Sequence, residues 1–173
     1  MEELVKKAQK GSKEAFTELI YEIRHDLYKI ARCRLSCEDD IEDAVQETMI
    51  DAFKNIKKLK KEQSYKKWFI KILVNKCNRI YNKNKNRNLS FENLELDNTY
   101  SHSENYDELD NMDFYMILKD LKYDERITLT LFYLEDYSIK EISKILKINE
   151  NTIKTRLKRS KEKIKNKFLK GNN

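Results

Sequence analysis

The 173-residue chain sets 36 Lys and Arg against 30 Asp and Glu, a net charge of +6, and it contains no proline and only two glycines, Gly11 and Gly171. Sheets and barrels need tight turns, and such turns lean on Gly, Pro and Asn-Gly pairs; the composition therefore argues against all-β and doubly wound α/β folds and against any glycine loop shaped to cradle phosphates. No apolar run of about 18 residues exists to span a membrane, and the acidic opening Met1-Glu2-Glu3-Leu4 does not read as a signal peptide, so an all-α cytoplasmic protein without membrane insertion is the expectation.

Residues 1–85 read as helices. After the break at Gly11, Ser12 is placed to cap a helix from Lys13, whose apolar residues Phe16, Leu19, Ile20, Ile23, Leu27, Ile30 and Ala31 recur at helical spacing. A second helix follows Asp40, with Ile41, Ala44, Val45, Met49, Ala52, Phe53 and Ile56 as its stripe. A short basic connection leads to Ser64, a candidate cap, and a third helix carries Tyr65, Trp68, Phe69, Ile72, Leu73 and Ile80. Such stripes bury a small core as a bundle, and Trp68 reads as part of it. Residues 86–111 lose periodicity and turn acidic, which suggests a flexible linker. Residues 112–173 return to helix: one from Met112 to Leu121, a second from Asp124 to Leu134, a short third opened by the capping box Ser138-Ile139-Lys140-Glu141, and a longer fourth capped by Asn149.

Charge is unevenly distributed. Residues 38–51 hold seven acids and no base; residues 54–87 hold thirteen bases and one acid; residues 154–170 hold nine bases and one acid. Basic blocks of this kind are the electrostatic footprint of phosphate binding, whereas an acid-only helix on the same chain suits a basic protein partner.

Three cysteines, Cys33, Cys37 and Cys77, in a chain without an export signal should be reduced and idle. A metal site would need further soft ligands, and His25 and His102 are isolated. The acidic helix lacks a convergent partner with carboxylates for two-metal chemistry. No cofactor and no enzymatic activity are expected.

Residues 138–157 have the layout of a helix-turn-helix: a short capped helix, the turn Lys147-Ile148-Asn149, and a helix whose Ile153 and Leu157 face inward. The candidate DNA-reading residues there are Thr152, Lys154, Thr155, Arg156, Lys158 and Arg159, with bases for phosphates and polar tips for base edges in the major groove.

The stretch DERITLTLFYLEDYSIKEISKILKINENTIKTRLKRSKEKIKNKF resembles region 4 of the extracytoplasmic-function (ECF) sigma factors, small members of the sigma-70 family of bacterial RNA polymerase specificity subunits. The family's pattern falls on Arg126, Leu134, Ser138, Glu141, Ile142, Leu146, Ile148, Thr152, Ile153, Lys154, Arg156, Leu157 and Arg159; a turn glycine common in the family is here Lys147, and a small alanine is Ser143. Residues 11–85 resemble region 2 through GSKEAFTELIYEIRHDLYKIARCRL, DAVQETMIDAFKNI and SYKKWFIKILVNKCNRI.

The resemblance implies a sigma factor that binds core RNA polymerase and reads the −10 and −35 elements of promoter DNA, responds to stress, and is held by an anti-sigma factor. It implies that region 2 spans 1–85, the linker 86–111 and region 4 112–173. It assigns polymerase docking to Asp43, Gln46, Glu47, Thr48 and Asp51, and −10 contacts to Lys60, Lys61, Ser64, Tyr65, Lys66, Lys67, Asn75, Asn78 and Arg79, with Asn75 lining a pocket for an unstacked base. A stand-alone helix-turn-helix repressor would not need the acidic helix, and a basic RNA-binding or scaffold protein would not need the capped helix-turn-helix.

Overall fold

The structure is a computed structural model that describes residues 1–88, Leu118 and residues 121–171. Among the described residues it is all-α: α1 Glu2–Gln9, α2 Lys13–Arg32, α3 Glu38–Asn55, α4 Tyr65–Asn88, α5 Tyr123–Tyr133, α6 Ile139–Leu146 and α7 Glu150–Gly171, with 3-10 turns at Ile56–Lys58 and Glu62–Ser64 between α3 and α4. The chain divides into two compact units, Met1–Tyr100 and Ser101–Asn173. The helix expected from Met112 to Leu121 and the linker after Asn88 lie almost wholly outside the described residues.

In the first unit α2, α3 and α4 pack on one another and α1 packs on α2. Gly11 (φ +102°) turns the chain between α1 and α2, and the Ser12 hydroxyl accepts from the Ala15 N–H at 3.1 Å, capping α2 as its position in the sequence suggests. The core consists of Val5 and Ala8; Phe16, Leu19, Ile23, Leu27 and Ile30; Ile41, Ala44, Val45 and Ala52; and Phe69, Ile70, Leu73, Val74 and Cys77. Each fully buried Leu or Ile contributes about 1.5–3 kcal/mol. Phe16 meets Phe53 edge-on at 5.1 Å and Phe69 at 6.3 Å. Trp68 is half-buried with its ring edge-on to Phe69 at 5.4 Å, so it packs rather than projects. Burial pushes the Cys77 thiol up to about 12, which leaves it protonated and inert.

α4 runs to Asn88, past the boundary at 85 that the loss of apolar periodicity suggests. The extension contains neither Gly nor Pro, and just before it the Asn84 amide donates to Asp40 Oδ2 at 2.7 Å, tying this part of α4 to the first turn of α3.

In the second unit α5 and α6 pack on α7 around Ile127, Leu129, Leu131, Ile142, Ile145, Ile153 and Leu157, with Leu118 and Leu121 also buried. Thr128 and Thr130 are buried in α5, and each donates its hydroxyl to the carbonyl four residues back, at 2.8 and 2.9 Å, so neither leaves an unmet polar group.

Candidate nucleic-acid interface

The helix-turn-helix forms where its caps predict. The Ser138 hydroxyl accepts from the Glu141 N–H at 3.3 Å while Glu141 accepts from the Ser138 N–H at 3.0 Å, closing the capping box of α6. α6 ends at Lys147, which takes the left-handed conformation (φ 57°, ψ 41°) that glycine would adopt without cost. Ser143 stabilises this turn from both sides: its carbonyl accepts from the Ile148 N–H at 3.2 Å, and its hydroxyl donates to the Ile148 carbonyl at 2.5 Å. Asn149 then caps α7, its Oδ1 accepting from the Thr152 N–H at 2.7 Å and from the Thr152 hydroxyl at 2.9 Å.

On α7, Ile153, Leu157 and Ser160 face inward, and Lys154, Thr155, Lys158 and Arg159 are exposed along the opposite side. Two residues expected on the DNA-reading face do other work. Arg156 is half-buried and donates to Asp124 at 2.8 Å, so its guanidinium fastens α7 to α5. Thr152 is half-buried and its hydroxyl is engaged in the cap. A second strut is Glu125, 6% exposed, which accepts from Lys163 at 2.7 Å and from the Lys122 N–H at 3.0 Å. Burial pushes its carboxyl up, but Lys163 and the Lys122 N–H more than offset this and hold it below the usual range.

In the first unit Lys60, Lys61, Lys66, Lys67 and Asn75 are all exposed, on the connection before α4 and along α4 itself. Lys66 lies 3.1 Å from Asp26 of α2. Ser64 is half-buried at the end of the second 3-10 turn. Tyr65 is the first residue of α4, on the helix its spacing suggests; the residue is 7% exposed and burial raises its phenol, so it belongs to the core and not to a stacking surface. Asn78 is half-buried and accepts from Arg34. Arg79 is exposed and donates to Glu47 of α3.

The acidic face of α3 is accordingly joined to the basic face of α4. Lys76 lies 2.5 Å from Asp51 and 3.2 Å from Glu47. The Lys76 bond holds the Asp51 carboxyl below its ordinary range; burial would lower Lys76, but Asp51 and Glu47 raise it overall. Asp43 and Gln46 are exposed as the sequence suggests. Thr48 is not: it is buried, its hydroxyl donating to the Ala44 carbonyl at 2.7 Å, because it falls on the same helical stripe as Ala44 and Ala52. Sequence reasoning missed Ile50 and assigned Phe53 to the core; they are 51% and 50% exposed and share a face with Gln46. Spacing carried that signal, since Ile50 lies off the buried stripe. Among the described residues no group of three or more His, Cys, Asp or Glu is arranged to hold a metal ion, and no helix is long and apolar enough to cross a membrane.

Comparison with known proteins places both units. Residues 19–87 match the family model described as Sigma-70 region 2, and residues 111–164 match Sigma-70, region 4. The chain is 28% identical over 155 residues to RNA polymerase sigma factor SigV of Bacillus subtilis, covering 89% of this chain and 91% of that protein. It is 27% identical to the ECF RNA polymerase sigma-E factor of Haemophilus influenzae, covering 95% and 93%. Among solved structures, it resembles the sigma factor RpoE of Bartonella quintana, solved with the anti-sigma factor NepR (TM-score 0.74, 23% identity, 87% and 94% covered). It also resembles CnrH, solved with the cytosolic domain of CnrY (TM-score 0.69, 20% identity, 99% and 98% covered). At these identities the two structures speak to the fold.

Proposed function

The chain belongs to the ECF branch of the sigma-70 family of RNA polymerase sigma factors, and from that premise we propose how its surface divides the work of promoter-specific initiation. Sigma factors are non-catalytic initiation factors, so the chemistry of RNA synthesis belongs to core polymerase and this chain supplies recognition. The observation that carries the reading is the clean exposure of Lys154, Thr155, Lys158 and Arg159 along α7 of a fully capped helix-turn-helix. That face enters the major groove of the −35 element, where phosphate contacts position and base-edge contacts specify.

Lys60, Lys61, Lys66, Lys67 and Asn75 form the −10 surface, the lysines drawing in the backbone and the Asn75 amide offering a donor and an acceptor to an unstacked base. Core polymerase docks on the exposed ridge of α3, where Asp43 and Gln46 lie beside Ile50 and Phe53; the apolar pair gives the contact an area that charge alone would not. We read residues 1–85 as region 2, 86–111 as a connecting segment and 112–173 as region 4, a reading supported by the matches over 19–87 and 111–164. Regulation by an anti-sigma factor is proposed from RpoE, whose structure was solved with one.

Transcription in vitro with core polymerase and a library of promoters randomised at −10 and −35 tests this reading. Enrichment of a bipartite motif, absent without the chain, is the expected result. Binding of duplex DNA with no polymerase-dependent transcription would favour a repressor instead.

A further inference from the structure

The connection between α3 and α4 is held from an unexpected direction. Gln9, the last residue of α1, is half-buried, and its side-chain Nε2 donates to the Ile56 carbonyl at 3.2 Å and to the Leu59 carbonyl at 2.8 Å. An amide facing two carbonyls can present only its NH2 group, so the orientation of Gln9 is fixed by its partners. Ile56 follows directly on α3 and opens the first 3-10 turn, where its carbonyl also accepts from the Leu59 N–H. The side chains of Ile56 and Leu59 are buried, at 4% and 8% exposure, and Leu59 is followed at once by the exposed Lys60 and Lys61. The connection is thus pinned at two points by side-chain burial and at the same two points by one amide, just where its lysines emerge.

We propose that Gln9 is a positioning residue for promoter reading: by holding the Ile56 and Leu59 carbonyls it fixes the path of the connection that presents Lys60 and Lys61 to the −10 element. The proposal rests on the reading of that connection as a −10 contact. Its physical basis is that a short segment with few hydrogen bonds of its own, Leu59 N–H to Ile56 carbonyl at 3.1 Å and Ser64 N–H to Lys61 carbonyl at 2.9 Å, needs an outside anchor to adopt one path. α1 supplies it because Val5 and Ala8 seat that helix in the core, leaving Gln9 at its end beside the connection.

The test uses the full chain with core polymerase and three variants: Gln9→Met, which keeps length and helix propensity but donates nothing; Gln9→Glu, which points a carboxylate at two carbonyls; and the double variant Lys60→Ala with Lys61→Ala. Abortive initiation is measured on templates carrying each base at every −10 position, alongside competition for core polymerase and thermal unfolding. Gln9→Met should bind core polymerase and melt as the parent does yet lose about fivefold in initiation at every −10 base alike, because the lysines it positions hold the backbone, and Gln9→Glu should lose more. Initiation at the parent's level in Gln9→Met, or a loss accounted for by weaker core binding or a lower melting temperature, overturns the positioning role. If the double lysine variant initiates like the parent, the connection does not touch the −10 element and both the reading and the proposal fall. If that variant is impaired while Gln9→Met is not, the proposal alone falls.

Discussion

The Lys163 amine lies 2.7 Å from one carboxylate oxygen of Glu125 and 2.9 Å from the other, fastening α7 to the first turn of α5. The folded Glu125 carboxyl sits below its ordinary range, the Lys163 and Lys122 contacts outweighing the effect of burial. A carboxyl depressed on folding contributes stability that is fully present above its unfolded value, about pH 4.3, and is lost as pH falls through the folded value. Glu125→Gln should therefore destabilise the second unit by about 1 kcal/mol at neutral pH and flatten its loss of stability below about pH 4.3. Amide exchange of residues 127–131 at both pH values checks it. Parallel losses in parent and variant on acidification would refute the assignment.

Lys147 holds a left-handed backbone conformation at φ 57°. Lys147→Gly should raise stability by roughly 0.5–1 kcal/mol, the relief of strain being partly offset by the entropy of an unfolded glycine. Urea unfolding would show a higher midpoint at unchanged slope. A lower midpoint would mean that the Lys147 side chain contributes more than its backbone costs.

Asp43 and Glu47 separate two roles on α3. Asp43→Lys reverses an exposed charge on the proposed polymerase ridge and should weaken core binding about tenfold with little change in melting. Glu47→Gln instead loosens Lys76 and Arg79. It should cost under about 1 kcal/mol in stability, because the Arg79 pair is exposed and Lys76 keeps its bond to Asp51, while raising affinity for non-specific DNA and steepening its salt dependence by about one counterion. Titrations of core polymerase and of random duplex at several salt concentrations distinguish the two; identical behaviour of both variants would refute the division.

Two arginines on α7 make a paired control. Arg159→Ala should cost about 1–3 kcal/mol on the preferred −35 sequence and relax preference at one position. Arg156→Ala removes the Asp124 pair and should lower stability without changing sequence preference. A panel of −35 duplexes with single substitutions reports both. A uniform loss for Arg159→Ala would reassign that residue to phosphate.

Asn75→Ala should slow initiation on duplex promoters and blunt discrimination at one −10 base on pre-melted templates. An unaltered base profile would move the pocket away from this part of α4.

The helices and their caps are legible in the chain because the signals are local. Ser12, Ser138 and Asn149 each stand where a side-chain oxygen meets a free N–H. Exposure on a polar face is harder to read. Arg156 and Arg159 look alike in sequence, and only the presence of Asp124 across the packing turns one inward. Thr48 follows the buried stripe, but its polar character suggests solvent until the Ala44 carbonyl is seen to accept its hydroxyl. Near the end of α4, Asn84 reaches Asp40, forty-four residues away, a contact that no periodicity announces.

The three thiols differ in a way that is useful at the bench. Cys33 and Cys77 are buried and Cys37 is exposed, at the residue before α3 begins. A maleimide dye added to the folded, unmodified chain should therefore mark Cys37 alone, next to the helix proposed to meet polymerase. A change in that dye's emission on adding core enzyme would report docking in real time, with no engineered cysteine and no disturbance of the DNA-reading faces.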